Sequence, residues 1–153
     1  MLPLAGHTCC VSEQTPDGLI PESLVERGDL WTIAVNRNQD LLGKTMIVLN
    51  RACEAVTDLE QEEWLDLHRQ IGRLVEVLDV LFHPDLYNFA FLMNQVRQVH
   101  LHIVPRYLEP RSWEGDSFSD PHWGAVFGPE QRVLDREQIE RLRDAIRSRL
   151  AVH

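Results

Sequence analysis

The 153 residues are 44% hydrophobic, which suits one globular domain, residues 1–153, with a sizeable core and leaves too little chain for two. A formal net charge of -9, from 24 acidic against 15 basic residues, argues against a nucleic acid polymer or an anionic membrane as partner and leaves room for a small anionic ligand held by local groups. Cys9, Cys10 and Cys53 form no even disulfide framework, "MLPLAGHTCC" lacks a basic and then apolar leader, and no run approaches a membrane span, so a soluble, cytoplasmic protein is expected.

Residues 1–29 mix prolines and glycines with polar residues and read as an irregular lead-in holding at most one short helix. "LWTIAVN" (30–36) and "TMIVLN" (45–50) are rich in β-branched and apolar residues, and "RNQDLLG" between them supplies turn chemistry, which predicts an antiparallel pair. Thr57 and Glu60 fit a capping box, and Trp64, Leu67, Ile71, Leu74, Val75, Leu78 and Leu81 recur at helical spacing, so a helix is expected over 58–82. "LYNFAFLM" (86–93) reads as a strand, and a second strand (98–104) follows after a link too short for a crossover, hence antiparallel. From Pro105 to about 130 the chain is dense in Pro, Gly, Ser and aromatics without periodicity and reads as a long ordered loop. Asp135 and Gln138 cap a last helix carrying Ile139, Leu142, Ile146 and Leu150.

The chemistry concentrates in "NQVRQVHLHIVPRY". Gln98, His100 and His102 alternate with Val99, Leu101 and Ile103, so in an extended strand the polar groups share one face and the apolar ones enter a core. Read alone, His-x-His leaves three uses open: two metal ligands on one face, a histidine nucleophile or base beside a polar helper, or a pair of satisfied, partly buried histidines. A metal reading is short of ligands, because His68, His83 and His122 are scattered and Cys9-Cys10 is not a C-x-x-C pair. A structural zinc on His7, Cys9 and Cys10 is a minor alternative to ordinary thiol packing. Arg37, Lys44, Arg51, Arg97, Arg106 and Arg111 flank the expected strands and would make an anion site only if they converge; singly, each reads as a solvated charge.

The stretch "QVHLHIVPR" resembles the histidine triad (HIT) motif, His-φ-His-φ-His-φ-φ, followed by the Pro-Arg common in the hydrolase branch that includes the diadenosine polyphosphate hydrolases. "AVNRNQDLLGKTMIVLNR" looks like that family's first hairpin, "RACEAVTDLEQEEWLDLHRQIGRLVEVLDVLF" like its Arg-led connection into the central helix, and "PDLYNFAFLMN" like its fourth strand. The likeness is strongest over residues 30–107. It implies an α+β, HIT-like fold: a five-stranded antiparallel sheet with a long central helix and a C-terminal helix, commonly paired as a homodimer. It also implies cleavage at the α-phosphate of a dinucleoside polyphosphate or related nucleotide conjugate through a nucleotidyl-histidine, with no required cofactor beyond Mg2+ that accompanies the nucleotide.

Carried onto this chain, the resemblance makes His100 the nucleophile, with His102 and Gln98 beside it as catalytic and phosphate-binding groups. Asn36 stands where a ribose-contacting Asn does, Lys44 borders the phosphates, and Asn94 takes the place of a residue near the leaving group. Gln98 replaces the first histidine of the triad, Lys44 the histidine after Gly43, and the link from Asn94 to Gln98 is short. An amide keeps hydrogen-bonding capacity but cannot titrate near neutral pH. The sister branch that transfers uridylyl groups to hexose phosphates ends its motif in Gln, whereas this chain keeps His102, which favours hydrolysis. Trp113 and Trp123 are candidates for a base pocket, with packing the commoner use. The rivals to a hydrolase are a non-catalytic nucleotide-binding HIT protein and, more remotely, a zinc-binding protein using His-x-His.

Overall fold

The computed structural model describes residues 20–152. Its strands are β1 (Leu24–Arg27), β2 (Trp31–Val35), β3 (Thr45–Leu49), β4 (Leu86–Ala90), β5 (His100–Arg106), β6 (Arg111–Trp113) and β7 (Asp116–Phe118), and its helices are α1 (Gln61–Phe82) and α2 (Arg136–Leu150). The first five strands make an antiparallel sheet in the order β1-β2-β3-β5-β4, and β6 pairs with β7 as a separate hairpin. This is the expected α+β architecture, a five-stranded antiparallel sheet with a long helix and a C-terminal helix.

Alternation along the strands divides the molecule into two layers. Trp31, Ile33 and Val35 of β2, Ile47 and Leu49 of β3, and Leu101 and Ile103 of β5 share one buried cluster with Leu67, Leu74, Leu78 and Phe82 of α1 and Ile139, Leu142, Ile146 and Leu150 of α2. Register keeps these residues together, with Ile33 opposite Ile47 and Ile47 opposite Leu101. The intervening residues, Ala34, Met46, Val48, His100 and Val104, are buried outside that cluster. The helices therefore cover one face, and both histidines of β5 fall on the other.

Several boundaries differ from the sequence reading. The α-helix starts at Gln61, later than expected, because Val56–Asp58 forms a 3-10 turn and Glu60, not Thr57, is the N-cap. Its Glu60 N–H donates to the Glu63 carboxylate at 2.8 Å, which also takes two hydrogen bonds from Arg51. Trp31 Nε1 donates to the Glu63 carbonyl at 2.9 Å and fastens the same helical turn to β2. β1 lies in the segment read as irregular, and β6 and β7 lie in the segment read as loop. β4 is shorter than expected, and β5 begins at His100 and runs through Pro105, which is opposite Tyr87. The β3–β5 ladder ends at Ile103, so Pro105 sits where its missing N–H breaks no bond to β3. Gly43, with φ of +85°, is fixed by close approach: a Cβ there would lie 2.9 Å from the Phe82 ring and 3.3 Å from Pro105. Among the described residues no helix is long and apolar enough to cross a membrane.

Candidate active site

β5 carries both histidines on the face away from the helices, opposite Val48 and Met46 of β3, and His102 is also opposite Ala90 of β4. His100 is buried and His102 half-buried. His100 Nδ1 lies 2.7 Å from the Gln98 carbonyl oxygen. A carbonyl only accepts, so Nδ1 carries the proton and the neutral ring has its lone pair on Nε2. That Nε2 is 3.0 Å from His102 Nε2, with the rings edge to face at 4.7 Å between centroids. His102 must then donate from Nε2. Burial, reinforced by neighbouring His100 and the charge of Lys44, pushes the His102 pKa down from 6.5 to about 4 and keeps the ring neutral at physiological pH.

Both imidazoles line a cleft of about 270 Å3, whose remaining wall is residues 92–96 from the link between β4 and β5. Asn94 is in this wall and exposed, beside Met93, whose φ of +45° turns the link sharply. The expected helpers are placed differently. Gln98 does not point its amide at the imidazoles: Nε2 donates to the carbonyls of Leu49 and Arg51, both at 2.7 Å, and Oε1 accepts from Cys53 N–H at 3.2 Å. It precedes β5, so the alternation of the ladder does not govern it, and its backbone oxygen is what reaches His100. Asn36 is buried, with Oδ1 accepting from Asn38 N–H at 2.9 Å, and does not line the cleft. Lys44 is buried with its Nζ 2.6 Å from the Asp40 carboxylate, the two side chains 10% and 7% exposed.

The basic residues that flank the strands do not converge. Arg51 is held by Glu63 and Arg111 by Asp85, while exposed Arg97 sits 3.9 Å from Glu54. Arg106 is almost fully buried against Asp120 at 2.6 Å, and it also donates to Asn88, to the Ala125 carbonyl and to the His122 carbonyl. It anchors the late segment to the sheet, an ion pair between distant residues that no local sequence pattern announces. Arg37 lines a separate cleft with Glu22 and Asp135, to which no histidine among the described residues contributes. Trp113 packs edge to face on Phe82 at 5.3 Å, and Trp123 is 37% exposed. Among the described residues no three His, Cys, Asp or Glu side chains gather as a metal site, and His7, Cys9 and Cys10 lie outside those residues.

The HIT domain model matches residues 17–109 of the chain. No curated protein matches it. Solved structures do. A histidine triad protein from Bradyrhizobium japonicum is 21% identical with a TM-score of 0.63, covering 84% of this chain and 92% of its own. A histidine triad protein from Marinobacter aquaeolei is 22% identical with a TM-score of 0.65, covering 84% and 88%. The diadenosine triphosphate hydrolase of Plasmodium falciparum, solved with cyclomarin A, is 17% identical with a TM-score of 0.67, covering 88% and 80%. At these identities the likeness establishes the fold.

Proposed function

This chain belongs to the HIT domain family, and from that premise we propose that it is a nucleotide hydrolase or nucleotidyl transferase acting at the α-phosphate of a dinucleoside polyphosphate or related nucleotide conjugate. The observation that carries the reading is the fixed tautomer of His100, which leaves an unprotonated Nε2 at a cleft wide enough for part of a nucleotide. A similar fold belongs to a protein named a diadenosine triphosphate hydrolase, which suits the polyphosphate class.

In this mechanism His100 Nε2 attacks the α-phosphorus, the bond to the leaving phosphate or other group breaks with its electron pair, and a nucleotidyl-His100 forms. Water then attacks the same phosphorus, loses a proton, and releases a nucleoside monophosphate and neutral His100. As the first bond forms the imidazole becomes cationic, and its Nδ1–H, already on the Gln98 carbonyl, delocalises that charge. His102 Nε2–H, which rests on His100, moves to a non-bridging oxygen and frees the attacking lone pair. In this scheme Asn94, which lines the cleft wall, serves the leaving group. Lys44 acts on this site as a buried charge near His102, and Asn36 as a support of the β2–β3 turn. No cofactor belongs to the protein in this scheme, and Mg2+ accompanies the nucleotide.

A second reading, a nucleotide-binding protein without turnover, is favoured by one observation: among the described residues no cationic side chain lines the cleft. A panel of dinucleoside polyphosphates, nucleoside phosphoramidates and nucleotide sugars, assayed for released monophosphate with and without Mg2+, separates the two. Release from any member supports hydrolysis; saturable binding of nucleotide with no release supports the second reading.

A further inference from the structure

We propose that Gln98 is a positioning residue for His100, its side-chain amide fixing the carbonyl that sets the imidazole tautomer. The proposal rests on the hydrolase reading for its kinetic consequence, and on geometry alone for the tautomer.

Gln98 uses both amide hydrogens and its oxygen on the connection that leaves β3, through Leu49 O, Arg51 O and Cys53 N–H. Two backbone bonds run beside it, Val99 N–H to Cys53 O at 2.8 Å and Leu49 N–H to Val99 O at 3.1 Å. The brace continues outward, since the Arg51 guanidinium is held by Glu63 of α1 and by the Asp58 carbonyl. Residue 98 is thus tied to the helix layer through its side chain while its own carbonyl takes Nδ1–H of His100. A carbonyl that drifts would let the ring exchange tautomers, and the Nε2–H form has no lone pair facing the cleft.

The chemistry of an amide matters here. A neutral imidazole offers one donor and one acceptor, so a histidine at this position cannot supply both hydrogen bonds that Leu49 O and Arg51 O receive. In this chain the amide is fitted to the brace, and restoring a third histidine removes part of it.

The test reads tautomers directly from long-range 15N–1H NMR of imidazole-labelled protein, alongside kinetics. Wild type should show His100 protonated at Nδ1. Gln98→Leu, similar in size and without hydrogen bonds, should show a mixture of tautomers, with kcat reduced on the order of tenfold or more and KM little changed, because lost alignment weakens the reacting state more than ground-state binding. Gln98→His, which keeps part of the polarity, should fall between the two and serves where Gln98→Leu does not fold. An Nε2–H tautomer in wild type overturns the proposal, as does an unchanged Nδ1–H tautomer in a folded Gln98→Leu or Gln98→His. A tautomer shift in a protein that releases no monophosphate from any substrate upholds the positioning role and overturns the hydrolase reading instead.

Discussion

His100 and His102 meet through their Nε2 atoms at 3.0 Å, so the proposed nucleophile and its neighbour share a single proton before any substrate arrives. The direction of that bond follows from the Gln98 carbonyl on the other side of His100, which makes His100 the acceptor and His102 the donor. A phosphate oxygen is a stronger acceptor than a neutral imidazole. Its arrival draws the His102 proton away and exposes the lone pair at the moment it is needed. His100→Ala and His100→Asn should therefore abolish turnover while nucleotide affinity stays within about tenfold, since the side chain supplies the covalent step and little ground-state binding. Substantial retained activity in His100→Ala would sink the mechanism.

The depressed pKa of His102 has a consequence for stability. In the unfolded chain this ring takes a proton near pH 6.5, and in the folded one near 4. Between those values the unfolded state binds more protons, so the stabilisation is whole above pH 6.5 and is lost as pH falls toward 4, by roughly 3 kcal/mol at the limit. Urea unfolding at pH 7 and pH 4.5 should show wild type losing more stability than His102→Asn over that interval. Equal losses would mean that the ring is not buried as described.

Arg106 and Asp120 should matter to stability more than to chemistry. Both side chains are nearly inaccessible, 3% and 1% exposed, and the remaining guanidinium donors are taken up by Asn88 and two loop carbonyls. Removing one charge leaves the other buried without a partner, so Arg106→Leu should cost about 3 to 5 kcal/mol. Limited proteolysis should find new cleavage between residues 119 and 130 in that variant. An unchanged digest with unchanged unfolding would contradict the anchoring role.

What was legible in the chain follows from how local the signal is. The period of 3.6 over Leu67, Leu74 and Leu78 and the period of 2 over His100 to Ile103 are properties of neighbouring residues, and the structure keeps both. β1 is four residues long, and its pairing slips between Leu24 and Glu26, so it has strand character only beside β2. The β6–β7 hairpin is signalled by Glu114-Gly115, both at positive φ, between strands too short for a readable alternation. The alternation that puts Gln98 on the catalytic face holds only inside a ladder, and Gln98 lies two residues before β5 starts. Asp40 and Asp120 take up cations that looked free in the sequence, because an ion pair is settled by the fold.

A homodimer is proposed from exposed apolar side chains on β4 and near the start of α1, where Trp64 packs edge to face on Phe91 just beyond β4. β4 is an edge strand, with Leu86 and Phe89 43% and 49% exposed, and Trp64 and Leu65 of α1 are 42% and 61% exposed. Among the described residues no strand pairs with the outer side of β4, and a second copy would cover this apolar edge by two-fold symmetry. Light scattering at micromolar concentration should give twice the monomer mass, and Phe89→Glu should shift it toward the monomer. A monomeric wild type would remove the proposal.

Lys44 gives a chemical test of how closed the β2–β3 turn is. It is the sole lysine in the sequence, so an acylating reagent reports on one side chain without ambiguity. Acylation needs an accessible amine, and here Nζ is both buried and held 2.6 Å from the Asp40 carboxylate. Native protein should therefore react slowly at Lys44 before any nucleotide is added, and denaturation in urea should raise the rate by at least about tenfold, as the ammonium is released to water. Asp40→Asn separates the two causes. It keeps a polar partner of similar shape while removing the charge, so a faster native reaction in that variant assigns the protection to the ion pair, and an unchanged rate assigns it to burial. Equal rates in native and unfolded wild type would show that the pair opens freely, and Lys44 would then be available to touch phosphate directly.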